Sequence, residues 1–295
     1  MEQLNFSNIP DDKDAKSLLS NLLDQSRIYH HSKDYKELLD FVTRLRNFAP
    51  FNAFLLNLQK PGLRFAASEY DWQQRFDRKV KEGARPLLIL WPFGPIALVY
   101  DMVDTDGKIL PDSVLQAFRA TGDLLESQIH RYRHLLNRKG IEFKLIEYGD
   151  AHAGHIQTWQ KKEGLEIVTS STDAKMLPAY LIRVNSKHNP NVQFNTLIHE
   201  LAHLFLGHLG PDKYLKIAER ICPKYKQMEL EAESVAYLVC KRNGVESQSE
   251  GYLSNFVEAN TTTENLDFYL ILKAAGQIET ILQLGDMVSF GPKKK

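Results

Sequence analysis

Residues 195–208 read NTLIHELAHLFLGH, and the interpretation of the chain begins with this stretch. His199 and His203 stand four residues apart, so on a helix they share one face and lie one turn from each other. Their imidazoles can then converge on one metal ion, and Glu200 beside them can take a proton from a metal-bound water. The neighbouring positions are nearly all apolar, which predicts a buried helix over about residues 192–207. The pattern therefore predicts one catalytic Zn²⁺ per chain.

A simpler interpretation is that the two histidines only make hydrogen bonds inside the core. We favour the metal site, because two histidines and a glutamate are costly to bury unless they are paired or bound to a metal. The glycine and histidine that follow the motif do not extend it. They lie four and five residues after His203, whereas metzincins place them at three and six. Gly207 is therefore predicted to end the helix, and His208 to lie near its C-terminus.

A catalytic zinc needs a third protein ligand, and the best candidates follow in MELEAESVAYLVC, residues 228–240. Glu229 and Glu233 lie one turn apart on the same face of a predicted helix, and Glu231 points elsewhere. Small and apolar residues after Glu233 permit close approach to the histidine helix. We therefore favour Glu233 as the ligand over Glu229, with the other carboxylate orienting a ligand. A solvated acidic helix start would also fit Glu229 and Glu231.

Hydrophobic periodicity and turn residues predict the other elements. A β-hairpin is expected at 87–91 and 96–100, and a weak boundary near 104–112. The strand at 179–185 precedes the catalytic helix and is expected to be an edge that pairs with an extended substrate. The remaining predicted elements are helices over 13–25, 33–47, 50–60, 113–138, 214–221, 226–242 and 265–284, and strands over 141–148 and 165–168.

The composition is typical of a soluble globular protein, with 43% hydrophobic and 25% charged residues in 295. Lys+Arg and Asp+Glu are both 37, so the net charge gives no whole-chain attraction to nucleic acid or membrane. Two cysteines do not make a disulfide framework, and no apolar run approaches the length of a membrane span. The acidic start is unlike a signal peptide. We therefore expect a cytoplasmic protein with no membrane partner.

One segment departs from this neutrality. Residues 44–85 contain nine basic and four acidic residues, with aromatic side chains among them. Such a pattern is typical of a surface that binds single-stranded DNA, where basic groups contact phosphates and aromatic rings stack on bases. It fits equally well a solvated helix face with core aromatics. The candidate DNA-binding residues are Trp72, Arg75, Arg78, Lys79, Lys81 and Arg85.

Two stretches resemble known proteins. Residues 184–210, VNSKHNPNVQFNTLIHELAHLFLGHLG, followed by EAESVAYLVC, resemble the ImmA/IrrE-like zinc metallopeptidases, in the ArdC- and LtrC-like branch found on mobile elements. This resemblance implies a gluzincin that hydrolyses a protein substrate, such as a regulator, with Glu200 as the general base. It also implies that Glu233 is the third zinc ligand.

Residues 48–91 look like the N-terminal domain of ArdC-type antirestriction proteins, most clearly in FNAFLL at 51–56. The resemblance implies a single-stranded-DNA-binding domain over 1–110 and a metallopeptidase domain over 111–295. The expected fold class is α+β: an N-terminal helical and β-hairpin module, then a C-terminal minigluzincin in which a small sheet covers the HExxH helix. The alternatives are a mobile-element antirestriction protein with a structural or idle zinc site, and a hydrolase of something other than peptide.

Overall fold

The computed structural model describes residues 32–45, 47–91, 94–110, 126–147, 153–159, 179–221, 223–245 and 266–284. The predicted helix 13–25, the predicted strand 165–168 and the first part of the predicted helix 113–138 lie outside these ranges. The described residues form two compact units, one ending at 110 and the other beginning at 126. Each unit combines helices with small sheets, so the predicted α+β class is confirmed.

The first unit contains three helices and two small sheets within its described residues. Its longest pairing is an antiparallel hairpin between Leu87–Trp91 and Gly94–Asp101, as the sequence predicts. The two helices predicted at 33–47 and 50–60 are also present. In order, the elements are α1 (Ser32–Arg44), α2 (Pro50–Gln59), β1 (Ala66–Ala67), α3 (Glu69–Gln74), β2 (Arg78–Val80), β3 (Leu87–Trp91), β4 (Gly94–Asp101) and β5 (Thr105–Gly107).

Strand β3 is an edge of the first sheet, whose order is β1-β4-β3, and two amide side chains of α2 cover it. Gln59 exchanges two hydrogen bonds with the backbone of Leu88, at 2.7 and 2.8 Å. Asn52 does the same with Leu90, at 2.9 Å for both bonds. These amides satisfy backbone groups that an uncovered edge would offer to another chain.

The second unit is built from one sheet and a group of helices. Its elements are α4 (Glu126–Asn137), β6 (Ile141–Ile146), β7 (Gly154–Thr158), β8 (Tyr180–Asn185), α5 (Pro190–Phe205), α6 (Tyr225–Arg242) and α7 (Phe268–Leu282). Helix α5 contains the HELAH sequence and packs against β7, β8, α6 and α7. This agrees with the expectation that a small sheet covers the HExxH helix.

The sheet order corrects one prediction. Strand β8 pairs in parallel with β6 and antiparallel with β7, so it is the central strand rather than an edge. Its burial on both faces explains its nearly continuous apolar sequence, which is typical of a central strand. Among the described strands, the edge nearest α5 is β7, because α5 packs against it. Any pairing of the sheet with an extended substrate on that side would involve β7.

The ends of α5 follow from local sequence. Asn189 caps the start, its side chain accepting a hydrogen bond from the Val192 N–H at 3.0 Å, and Pro190 follows at the first helical position. Gly207 has a φ of 78°, the left-handed conformation that ends helices, so its predicted role is confirmed. The predicted helix at 214–221 is wrong. Turns and an isolated bridge between Asp212 and Ile217 occupy that segment, and Asp212 side-chain hydrogen bonding stabilises the turn.

None of the helices in the described part of the chain is long and apolar enough to cross a membrane.

Candidate metal centre

Helices α5 and α6 bring three side chains together. His199 and His203 lie one turn apart on α5, and their Nε2 atoms are 3.1 Å from each other. The carboxylate of Glu229, near the start of α6, places Oε2 3.5 Å from Nε2 of His199 and Oε1 3.6 Å from Nε2 of His203. Among the described residues, this is the group of His, Cys, Asp and Glu whose ligand atoms converge, all within 4.8 Å.

These separations fit a four-coordinate cation. Ligand atoms bound about 2.0–2.1 Å from a tetrahedral zinc are about 3.3 Å from one another. The nearest-atom spacings between the three groups, from 3.1 to 3.6 Å, are close to that value, with each histidine meeting a different oxygen of Glu229. Two imidazoles and one carboxylate are also a donor set that suits zinc and other divalent transition metals. The residues present therefore fit a metal ion with one coordination position left for water.

Glu233 lies elsewhere around His199 than the sequence prediction requires. Its Oε1 is 3.2 Å from Nδ1 of His199, the ring nitrogen other than the one near Glu229. Glu229 and Glu233 share a face of α6 as predicted, but Glu229 meets both Nε2 atoms. The geometry therefore places Glu229 beside both Nε2 atoms and Glu233 beside Nδ1 of His199, where it can orient that ring. Spacing on one helix face could not separate them.

Glu231 is not part of a solvated helix start. Its side chain is fully buried and contacts His208, with 3.1 Å between Nε2 of His208 and Oε2 of Glu231. Arg220 also pairs with this carboxylate, at 3.0 and 3.2 Å. Neither contact was predicted. The helix end at Gly207 could have indicated that His208 lies near the metal ligands, because the chain turns there. The sequence contains no comparable indication for Arg220.

Glu200 is buried next to the histidines, with 8% of its surface exposed. Its burial raises the pKa of the carboxyl to about 7, against the opposing effects of His199 and of a hydrogen bond from the Ile156 backbone. Burial lowers the pKa of His203 to about 4, and the neighbouring His199 adds to this effect. Burial also disfavours charge on His199, but hydrogen bonds with Glu229 and Glu233 outweigh it and raise that pKa to about 10.

The edge strand β7 approaches α5 closely at Gly154. A Cβ atom at this position would lie 2.6 Å from the Arg183 carbonyl oxygen and 2.7 Å from Cγ2 of Thr196. Only glycine therefore lets β7 lie against the helix at this point. The approach matters for the site, because the Ile156 backbone two residues later hydrogen-bonds Glu200.

A cavity of about 900 Å³ opens over these groups. Its lining includes all the metal-site carboxylates and histidines named above except Glu231, together with side chains of β7 and the start of α6. Tyr225, which is 71% exposed, lines it and hydrogen-bonds Glu229 one helical turn away. Tyr225 was not among the predicted site residues, although its position four residues before Glu229 places it on the same helix face.

Trp72 is not available to stack on a base. Its side chain is fully buried, its indole N–H donates to the Tyr100 carbonyl at 3.0 Å, and its ring packs on Phe65 and Phe76. The prediction that it contacts DNA is therefore wrong. Trp72 belongs to a small hydrophobic core. This agrees with the alternative interpretation of the segment, a solvated helix face with core aromatics.

Three of the predicted basic residues have defined contacts within the first unit. The guanidinium of Arg78 hydrogen-bonds the hydroxyl and carbonyl oxygens of Thr105, at 2.8 and 2.7 Å, and so holds β2 to β5. Lys81 donates to the Val103 carbonyl at 2.9 Å, and Arg75 lies 3.7 Å from a carboxylate oxygen of Asp71. Lys79 and Arg85 are exposed. These side chains therefore lie along one segment of the first unit. Arg75, Arg78 and Lys81 each contact another residue of that unit.

Comparison with known proteins gives a family match for part of the chain. Residues 145–240 match the IrrE N-terminal-like domain of the M78 peptidases, which covers the whole metal centre. No curated protein sequence matches the chain. Two solved structures of the antirestriction protein ArdC from plasmid R388 are similar, one metal-free (16% identity, TM-score 0.37) and one Mn(II)-bound (17% identity, TM-score 0.40). The alignments cover 81% and 84% of this chain and 82% and 95% of the ArdC chains.

Proposed function

We propose that this chain, which carries an IrrE N-terminal-like domain at residues 145–240, is a zinc-dependent peptidase. The observation that carries the proposal is the convergence of His199, His203 and Glu229, whose ligand atoms all lie within 4.8 Å of one another. The family match supports a metallopeptidase-like domain. We propose in addition that the metal is zinc and that the reaction is peptide hydrolysis.

Each residue of the centre has a chemical task in this proposal. A zinc ion held by His199, His203 and Glu229 would supply a Lewis acid that lowers the pKa of a bound water to about 7. Glu200 is placed to take a proton from an attacking water and to return it to the departing amine. The pKa of about 7 that burial gives its carboxyl suits both steps near neutral pH. Glu233 holds the ring of His199 so that Nε2 faces the ligand position.

The substrate we propose is an extended segment of a protein. Strand β7 is an edge of its sheet among the described residues, and it lines the cavity beside Glu200. An extended peptide can add to such an edge through backbone hydrogen bonds, which would place a peptide carbonyl near the metal. The cavity of about 900 Å³ has room for several residues of such a peptide.

Metal analysis of the purified full chain tests the proposal. We expect about one zinc per chain after dialysis against metal-free buffer, and almost none in His203→Ala. Lys144→Ala, which changes a half-exposed side chain of β6 in the same unit, is the matched control and should keep its zinc. Full zinc retention in His203→Ala would contradict the assignment of the site.

A second candidate function is single-stranded DNA binding by the first unit, as the sequence resemblance implies. The observation that favours it is the exposure of Lys79 and Arg85, with the half-exposed Lys81 close by in sequence. The loss of Trp72 as a stacking residue removes one of its predicted supports. We therefore propose phosphate contacts, rather than base stacking on Trp72, as the basis of such binding.

A further inference from the structure

A line of buried polar contacts leads from the second histidine of the motif to an arginine. Nδ1 of His203 lies 2.8 Å from Nδ1 of His208, and Nε2 of His208 lies 3.1 Å from Oε2 of Glu231. Arg220 donates to both oxygens of Glu231, at 3.0 and 3.2 Å, and Gln227 donates to Oε1 at 3.3 Å. His208 and Glu231 are almost completely inaccessible, with 2% and 0% of their side chains exposed.

The chemistry of these groups fixes where the hydrogens lie. A carboxylate that takes donors from Arg220 and Gln227 can only accept, so Nε2 of His208 must carry a hydrogen and donate it to Glu231. In neutral His208, Nδ1 is then the acceptor. With His208 neutral, the hydrogen between the two histidine rings therefore belongs to Nδ1 of His203. This leaves Nε2 of His203 with a lone pair 3.6 Å from Oε1 of Glu229, an arrangement of two acceptors that a cation between them would stabilise.

The opposite arrangement is disfavoured. If Nδ1 of His208 donated to His203, Nε2 of neutral His208 would turn a lone pair toward the Glu231 carboxylate at 3.1 Å. Two acceptors at that distance repel each other, and the dry surroundings leave the repulsion almost unscreened. The Glu231 carboxylate therefore selects one tautomer of His208, and His208 selects one tautomer of His203.

We propose that Glu231, acting through His208, sets the tautomer of His203 and so presents Nε2 of His203 to the metal. The inference rests on the proposed function, because it assumes that Nε2 is a metal ligand. Glu231 and His208 are positioning residues, since neither reaches the ligand position. The site thus orients its two histidine ligands differently, with Glu233 contacting His199 directly and Glu231 acting on His203 through a second imidazole.

The segment that supplies Arg220 is itself held in place. The Arg220 guanidinium also donates to the Leu206 carbonyl at 3.1 Å, just after the end of α5. The loop between these residues is anchored to the sheet where the Tyr180 hydroxyl donates to Asp212 at 2.8 Å. A third contact, from Gln277 of α7 to the Leu215 carbonyl at 3.3 Å, fixes its outer part. Arg220 is therefore positioned to keep Glu231 ionised and acceptor-only.

The first test reads the tautomer directly. Nitrogen-15 NMR of histidine side chains distinguishes a protonated Nδ1 from a protonated Nε2, and His203→Gln assigns the His203 signals. In the wild-type full chain freed of metal with a chelator, we expect His203 with its hydrogen on Nδ1. A hydrogen on Nε2 of neutral His203 in the wild type would overturn the proposal. This result does not depend on whether the chain binds zinc or cleaves peptides.

The second test changes the acceptor. Glu231→Gln keeps the shape of the side chain but adds an amide donor, which can face Nε2 of His208 and permit the wrong tautomer. We expect a shift of the His203 signals toward the Nε2-protonated form. We also expect zinc affinity to fall by about 10–100-fold in chelator competition, the usual effect of losing such support. Unchanged tautomer and affinity in a folded Glu231→Gln chain would contradict the proposal.

Controls separate this role from general destabilisation. Glu279→Gln removes another buried glutamate that pairs with an arginine in the same unit, Arg242, at 2.7 Å. It is expected to lower stability but leave zinc affinity and the His203 tautomer unchanged. A loss of zinc in Glu279→Gln equal to that in Glu231→Gln would assign Glu231 a structural role only.

A second pair of variants covers the case in which Glu231→Gln does not fold. His208→Asn retains an oxygen that can accept from Nδ1 of His203, whereas His208→Leu retains none. We expect His208→Asn to bind zinc more tightly than His208→Leu, and equal affinities would count against the relay. If the wild type shows the expected tautomer but binds no zinc, the proposed function fails and the hydrogen-bond relay stands.

Discussion

Glu233 places a carboxylate oxygen 3.2 Å from Nδ1 of His199, and Glu229, one helical turn earlier, faces Nε2 of the same ring. The two carboxylates therefore contact the two nitrogens of one imidazole. Because a histidine that binds metal through Nε2 needs a hydrogen-bond acceptor at Nδ1, the pair has two distinct tasks. A shared helix face made the two residues candidates, and only the placement of α6 relative to α5 distinguishes them.

The first prediction concerns this division of roles. We expect Glu229→Gln to lower zinc affinity by more than about 100-fold and Glu233→Gln by about 10–100-fold, the range for a residue that supports a ligand. Chelator competition at neutral pH measures both. Lys226→Gln, an exposed change on the same helix, serves as the control. A larger loss in Glu233→Gln than in Glu229→Gln would restore the ligand assignment made from the sequence.

The second prediction concerns Glu200. Glu200→Gln keeps the size of the side chain but cannot accept a proton, so we expect full zinc content and loss of hydrolysis by at least about 100-fold. Cleavage of unfolded casein, followed by gel electrophoresis, is the readout. Glu142→Gln on β6, a partly buried residue whose carboxylate pairs with Lys144 at 2.9 Å, should cleave as the wild type does. Cleavage by Glu200→Gln at the wild-type rate would exclude Glu200 as the base.

The two histidines of the centre could be predicted from the sequence because both lie on one helix, α5. The spacing of His199 and His203 requires only α5 to form, and the apolar residues around them predict its burial. Contacts between different elements could be predicted less well. Strand β8 was predicted as an edge because a short apolar run does not reveal how many neighbours a strand has. The Arg220–Glu231 contact depends on an irregular loop, whose path local periodicity does not encode.

The third prediction concerns the close approach of β7 to α5. Gly154→Ala adds a Cβ atom that would lie 2.6 Å from a backbone oxygen, so the strand must shift. We expect a loss of about 1–3 kcal/mol in the free energy of unfolding, the usual cost of overpacking, measured by urea denaturation. The control is Gln157→Ala in the same strand, an exposed position. Equal stability of Gly154→Ala and wild type would show that β7 moves without cost.

The last prediction concerns DNA and uses Lys79 and Arg85, two exposed basic residues of the first unit. Each phosphate contact of a single strand contributes about 0.7 to the slope of log affinity against log salt concentration. Lys79→Gln with Arg85→Gln should therefore reduce that slope by about 1.4 if both residues contact phosphate. Fluorescence anisotropy of the full chain with a labelled oligothymidine, titrated at several salt concentrations, gives the slope directly.

The control for this experiment removes the same charge elsewhere. Lys139→Gln with Lys213→Gln changes two exposed lysines of the second unit, so the net charge is matched and the first unit is unaltered. We expect the slope of this variant to equal that of the wild type. Equal slopes in all three proteins would mean that Lys79 and Arg85 do not contact phosphate. Absence of wild-type binding at low salt would remove DNA from the proposed function, because phosphate contacts are strongest under that condition.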